Sequence, residues 1–280
     1  MSRRREVGGR IATLAEIDEI LTAMKNLALV EVRRIAEFIE AQRAAVAVIE
    51  DAAADFLADF APPASFAQSA GDVVCLLGSE RGFCGDFNET VAQAARQRDA
   101  GAPAASAVLL VGSRMADAYG DPQARAISGA GVADEVPAVL QLLVESLTGL
   151  LGDRSEAGMP TGLVVIHHGD AGVSAQRLLP LPDPPRRTPS HPYPLLLNLP
   201  PAQFFEGLTE QYVYAGLQAA LYESLLEENR RRRDHMELAI DRLGEQLRNL
   251  HVRQNRLRQE EITEEIEIIL LSAGLADLRD

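Results

Sequence analysis

Apolar residues recur along this chain in two rhythms, and the switch between them divides it into three parts. From Arg3 to about Asp59 there is no proline and Ala, Leu, Ile, Glu and Arg dominate, which predicts one long helix. Leu14, Ile17, Leu21, Met24 and Ala28 step at 3-4-3-4 spacing, the narrow stripe of a coiled-coil seam. Pro62 and Pro63 are expected to stop the helix.

The middle changes period. Asp72 to Gly78, Ala107 to Gly112 and Gly162 to His168 are short, continuous apolar runs rich in β-branched residues and bounded by Gly, the pattern of parallel strands buried on both faces. A further strand is expected at Val173 to Leu179. Helical stretches are expected near 86–101, 113–119 and 135–151, so the unit reads as a small doubly wound α/β domain.

Nine of the 15 prolines then fall between Pro180 and Pro201, predicting an extended connector. From Ala202 to about Gly274 proline is absent again. Met236, Ile240, Leu243, Leu247, Leu250, Gln254, Leu257 and Glu261 step 4-3-4-3-4-3-4, a heptad pattern in which Gln254 is a register-setting polar position. At 1.5 Å per residue the two helices would reach roughly 85 and 110 Å. No small globule buries such lengths, so they are expected to pair as an antiparallel coiled coil, a shaft projecting from an α/β knob. The expected parts are a helix over 1–60, a Rossmann-like domain over 61–201 and a helix over 202–280.

Charge removes several classes of function. The 280 residues carry a formal net charge of -14, and the acidic excess recurs in each of the three parts, which argues against a nucleic-acid module. Two cysteines, Cys75 and Cys84, cannot staple a secreted scaffold and are expected to be free thiols in a reducing compartment. No apolar run approaches the roughly 20 residues of a membrane span, so membrane association is expected only through another protein.

The candidate chemistry is sparse. The turn Gly78 to Gly85 joins a strand to a helix where a phosphate cradle could sit, but it lacks the Gly-Lys-Ser/Thr ending and the Gly-x-Gly-x-x-Gly spacing, so a structural turn is expected. Cys84 within it is expected to be packed. His167 and His168 with Asp170 suggest a metal cluster, yet neighbours on a strand point to opposite faces and cannot readily share one ion. Arg230 to Arg233 point around the whole helix axis and read as a solvated run or as grips on acidic partners.

Four blocks in order resemble the gamma subunit of F-type ATP synthases. They are Arg10 to Thr13 with Ile20 to Ala28 and Arg33-Arg34; Ser79 to Asn88; Leu178 to Pro180 with Gln211 to Tyr214, Glu223-Ser224 and Glu228; and Arg258 to Ile268, which is similar to the family's Arg-Gln-Ala-x-Ile-Thr-x-Glu-Ile-x-Glu-Ile. Lys25 as the only lysine, Asp86 in place of a usual Gly, Glu31 on a usually neutral face, Gly8-Gly9 and the proline-rich connector depart from the pattern. These mark a divergent member, of the kind an alternative ATPase operon would encode.

The resemblance implies a noncatalytic central-stalk rotor that couples ion flow through a membrane sector to ATP synthesis or hydrolysis. The implied partners are a ring of alpha and beta subunits, an epsilon subunit and a membrane rotor ring, at the cytoplasmic face of the cell membrane. The family positions that meet the ring fall here on Met24, Lys25, Arg232, Arg258, Gln259, Thr263 and Glu265. No cofactor or metal is expected on this chain, ATP and magnesium belonging to its partners. The alternative is a nucleotide-binding α/β enzyme with a coiled-coil dimerisation arm.

Overall fold

The computed structural model describes residues 3–60, 71–101, 105–151, 162–182 and 195–276, with two compact units formed by 28–232 and by 1–27 with 233–280. Pro62-Pro63 and most of the proline-rich connector lie outside the described residues. In chain order the elements are α1 (Arg3–Asp59), β1 (Asp72–Leu77), α2 (Phe87–Gly101), β2 (Ala107–Val111), α3 (Ser113–Tyr119), β3 (Arg125–Ile127), a 3-10 turn (Ala133–Glu135), α4 (Val136–Leu151), β4 (Gly162–Gly169), β5 (Gly172–Leu179) and α5 (Pro201–Ala276).

In the larger unit the strands form one sheet in the order β3-β2-β1-β4-β5. The first four are mutually parallel, and β5 returns antiparallel beside β4. The three apolar runs are continuous because both faces of the sheet are covered. Val73, Cys75, Leu77, Leu109, Leu163 and Val165 pack with α4 and with Ile35, Ile39, Leu217, Leu221 and Leu225 of the terminal helices. Val74, Leu76, Leu110, Val164 and Ile166 face Val91, Ala92, Ala95 and Met115 of α2 and α3.

The edges hold the departures from the sequence reading. The short strand β3, exposed at Arg125 and Ala126, has no apolar run to announce it. In β5 a bulge between Leu163 and Val164 of the ladder lets both Leu178 and Leu179 turn inward. A Cβ at Gly216 would lie 2.8 Å from Leu178 Cδ2, so that glycine admits the bulged side chain against α5. Glu31, on a face expected to be neutral, accepts the Ala133 N–H at 3.1 Å and so holds the 3-10 turn ahead of α4.

Gly112, between β2 and α3, has φ +101, and a Cβ there would meet Ser79 O at 2.7 Å and Gly78 O at 2.8 Å. Gly112→Ala is expected to destabilise the chain by roughly 1–3 kcal/mol from backbone conformation alone, with the clash added, as read by denaturant unfolding.

The ends of α1 and α5 within this unit lie antiparallel. Phe56 stacks on Phe60 and Phe204 and tilts against Phe205, with ring centroids 5.1–5.5 Å apart, and Phe38 stacks on Tyr222 at 5.9 Å. In the smaller unit the two helical stretches are also antiparallel, since Arg4 pairs with Glu261 at 3.1 Å and Lys25 with Glu237 at 3.8 Å.

The expected heptad of α5 is the covered strip of that unit. Met236 is buried, and Ile240, Leu243, Leu247, Leu250, Gln254, Leu257 and Glu261 are half-buried, whereas every other residue from 251 to 261 is exposed. Gly8 leaves room for Gln254, whose Nε2 would lie 3.3 Å from a Cβ there. On α1, Leu14, Leu21, Met24 and Ala28 of the expected stripe are covered, together with Val7, Ile11, Asp18 and Lys25, and only Ile17, 39% exposed, falls outside it. A two-helix pair covers only a narrow strip, and the facing helix rather than the apolarity of Ile17 decides which residues lie in it.

Candidate functional site

In doubly wound sheets ligands sit beyond the carboxyl ends of the strands, at the point where strand order reverses. Here that point is the crevice between β1 and β4, bordered by the turn 78–86 and by the turn after Gly169.

The first turn is closed on itself. A Cβ at Gly78 would lie 2.5 Å from Met115 Cβ, so only glycine lets α3 approach. Asn88 Oδ1 accepts the Ser79 N–H at 2.8 Å, and Asn88 Nδ2 donates to Ser79 Oγ at 2.9 Å. Glu80 accepts from Ser113 N, Ser113 Oγ and Gly129 N at 3.0, 2.7 and 2.7 Å. Burial works to raise the Glu80 pKa, but these donors outweigh it and hold the carboxyl below its usual range. The Ser79, Ser113 and Gly129 N–H groups, which could otherwise meet a phosphate, are thus satisfied by the chain's own amide and carboxylate. Cys84 is buried, donates to Ser79 Oγ at 3.3 Å and has its thiol pKa pushed up by burial, the behaviour of a packed residue.

The remaining space is crossed by α5. Ser224 Oγ donates to Leu77 O at 3.4 Å, Arg232 Nε to Gly82 O at 3.2 Å, Arg231 Nη1 to Asp86 at 2.7 Å and Arg230 Nη1 to Asp170 at 3.1 Å. All four arginines of the run have a carboxylate partner, Arg233 with Asp234 and Arg232 with Glu228. Asp86, where the family usually has Gly, is the acceptor for Arg231, and Arg231 also lies over the Phe87 ring at 5.8 Å.

The two histidines point to opposite faces, as adjacent strand residues must. His167 Nε2 meets Glu223 Oε2 at 3.1 Å on the α5 side, and His168 stacks on Phe87 at 4.2 Å on the α2 side. Among the described residues no group of His, Cys, Asp and Glu is arranged to hold a metal ion. His168 is fully buried, with Nε2 at 2.9 Å from Phe87 O and 3.0 Å from Thr90 Oγ1. Burial lowers its pKa from 6.5 to about 4.

Because the folded value is depressed, the unfolded chain takes a proton that the folded chain refuses, and stability is lost as pH falls from 6.5 toward 4. The loss attributable to His168 is roughly 3 kcal/mol. Between pH 7 and 4.5 the melting midpoint should fall further for the parent than for His168→Gln, and parallel losses would refute this assignment.

Of the residues that the family resemblance singles out, Arg232 lies in the larger unit and the other six in the smaller. Arg232 is only 5% exposed and donates to Glu228, Asn229 and Gly82. Met24 and Lys25 are half-buried, with Lys25 against Glu237; Arg258, Gln259, Thr263 and Glu265 are exposed, with Thr263 Oγ1 donating to Gln259 O at 2.9 Å. Since Lys25 faces Glu237 while Arg4 faces Glu261, the six form two patches roughly 30 Å apart along the pair. Sequence reasoning missed Arg43, Glu223 and Asp170 as a group. No local signal marks them, because they come from α1, α5 and the β4–β5 turn.

A recess of about 510 Å³ lies at the other end of the sheet, lined by Val144, Leu147, Leu163, Leu179 and Leu217 with Glu206 and Glu210. It is remote from the crevice where this class of sheet holds ligands.

Comparison with known proteins accords with this geometry. A family model described as ATP synthase matches residues 3–274. The ATP synthase gamma chain of Ruminococcus albus is 23% identical over 291 residues, covering 99% of each chain. Among solved structures, a chain in the rotor of the Euglena gracilis mitochondrial ATP synthase, rotational state 1, superposes with a TM-score of 0.59 at 15% identity, covering 92% of this chain and 98% of that one. A chain in the OSCP/F1/c-ring structure of the same synthase, rotational state 3, gives 0.62 at 15% identity, covering 97% and 93%.

Proposed function

The chain belongs to the gamma family of the ATP synthases, and on that premise we propose that it is the noncatalytic central-stalk rotor of a rotary ATPase. Its partners are a ring of three alpha and three beta subunits, an epsilon subunit and a membrane rotor ring, at the cytoplasmic face of the cell membrane. No described helix is long and apolar enough to cross a membrane, so the attachment runs through those partners.

The observation that carries the reading is the smaller unit. Its two antiparallel helices cover only a narrow seam and leave Ile17, Ile20, Leu27, Ile262 and Ile266 exposed, a distribution suited to an enclosing protein sleeve. A paired shaft presents a different face to each of three otherwise equal subunits and favours a different conformation in each. Turning it exchanges those preferences. Met24 and Lys25 form one contact patch, and Arg258, Gln259, Thr263 and Glu265 the other. Their polar groups are fitted to contacts that break and re-form at each step.

The nucleotide-binding alternative is not favoured, because the crevice such an enzyme would use is filled by α5 and by Glu80. Co-purification with a tagged beta subunit tests the proposal. One copy of this chain per three alpha and three beta is expected, and a purified ring without it would overturn the reading.

A further inference from the structure

We infer that residues 223–232 of α5, lying across the carboxyl ends of β1 and β4, act as a rotational key that makes the sheet and the two terminal helices turn together. The inference rests on the rotor reading and assigns a mechanical role to the filled crevice.

Successive helix residues project about 100° apart, so Arg230 and Arg231 reach in different directions from one turn of α5. Arg231 donates to Asp86 at 2.7 Å on the β1 side, and Arg230 to Asp170 at 3.1 Å on the β4 side. A twist of α5 one way lengthens the first contact, and a twist the other way lengthens the second. The key therefore opposes slip in both directions.

The same carboxylate recruits α1. Arg43 Nη2 donates to Asp170 Oδ2 at 2.5 Å and Arg43 Nε to Glu223 Oε1 at 3.0 Å, while Glu223 Oε2 meets the buried His167 at 3.1 Å. The Arg43 and Arg230 hydrogen bonds hold the Asp170 carboxyl below its usual range, so it stays ionised at neutral pH. His167 and Arg43 do the same for Glu223. Both helices and the β4–β5 turn thus share one set of directional bonds.

To the apolar packing beneath, the ion pairs add a constraint on direction. Hydrophobic burial is non-directional and resists separation more than sliding, whereas charge-assisted bonds to forked guanidinium groups fix angle as well as distance. The acidic partners are largely exposed, with side chains 73% accessible at Asp86 and 54% at Asp170, so their ion pairs add little to folding stability. That separates the mechanical role from a structural one.

The test is the double variant Asp86→Asn/Asp170→Asn in the assembled complex, reconstituted in vesicles and supplied with ATP. Proton or sodium uptake per ATP hydrolysed should fall at least about twofold with hydrolysis retained, because charge-assisted bonds become neutral ones. The melting midpoint of the chain should move by no more than a few degrees. Asp86→Glu/Asp170→Glu should restore uptake. A coupled parent with an equally coupled Asn variant would overturn the inference alone. A parent complex that hydrolyses ATP without moving ions would overturn the rotor reading and the key with it.

Discussion

Arg232→Ala is expected to cost about 3–5 kcal/mol, because it strands a carboxylate that has no route to water. Glu228 is 2% exposed, and burial pushes its pKa up to about 7 even with Arg232 beside it. Arg232 also donates to Asn229 Oδ1 at 3.0 Å and to Gly82 O at 3.2 Å, so alanine leaves a buried amide and a half-buried carbonyl short of a donor as well.

The sign of the pH dependence follows from the raised carboxyl. A group with an elevated folded pKa is stabilising while protonated and loses that contribution as pH rises, so the variant should suffer more at about pH 8 than at about pH 6. The paired replacement Arg232→Met with Glu228→Leu should recover most of the loss, since an apolar pair of similar volume needs no desolvation. Denaturant unfolding reads all three proteins. A loss below about 1 kcal/mol for Arg232→Ala would show that the pair is solvated.

Ending the chain before Ile262 should have the opposite profile, with little effect on the fold and a large one on coupling. Ile262, Ile266, Ile268, Ile269 and Leu270 are all exposed, and none belongs to either core of the sheet-bearing unit. Thr263 and Glu265, two of the proposed contacts, go with them. The melting of the sheet-bearing unit should be unchanged, whereas ATP-driven ion uptake by the assembled complex should fall to near background. Uptake that survives the truncation would count against the proposed role of this segment.

Buried features were the legible ones. Val73 to Leu77, Val108 to Val111 and Leu163 to Ile166 announce themselves because burial on both faces demands an uninterrupted apolar run. The seam of α5 is equally plain, because heptad spacing is a local property. Arg125 to Ile127 escaped notice as a strand because an edge strand with two exposed residues carries no such run.

Ile17 lies off the covered strip of α1 for a different reason. Two heptad strips, one through Ile17 and one through Asp18, are both available on that helix, and only the facing stretch of α5 selects between them. The arginine run was visible as composition but not as chemistry. Its acceptors Asp170 and Asp86 lie 60 and 145 residues away, and no spacing rule joins them.

The seam position of Lys25 turns the helix pair into its own reporter. As the sole lysine of the chain, it is the only side-chain amine that an acylating reagent can modify. It is half-buried against Glu237 at 3.8 Å, so its labelling rate reports how well that level of the helix pair is covered. The mass increment on the peptide that carries Lys25, compared between the free chain and the assembled complex, would show whether partners cover that level of the helix pair without any engineered probe.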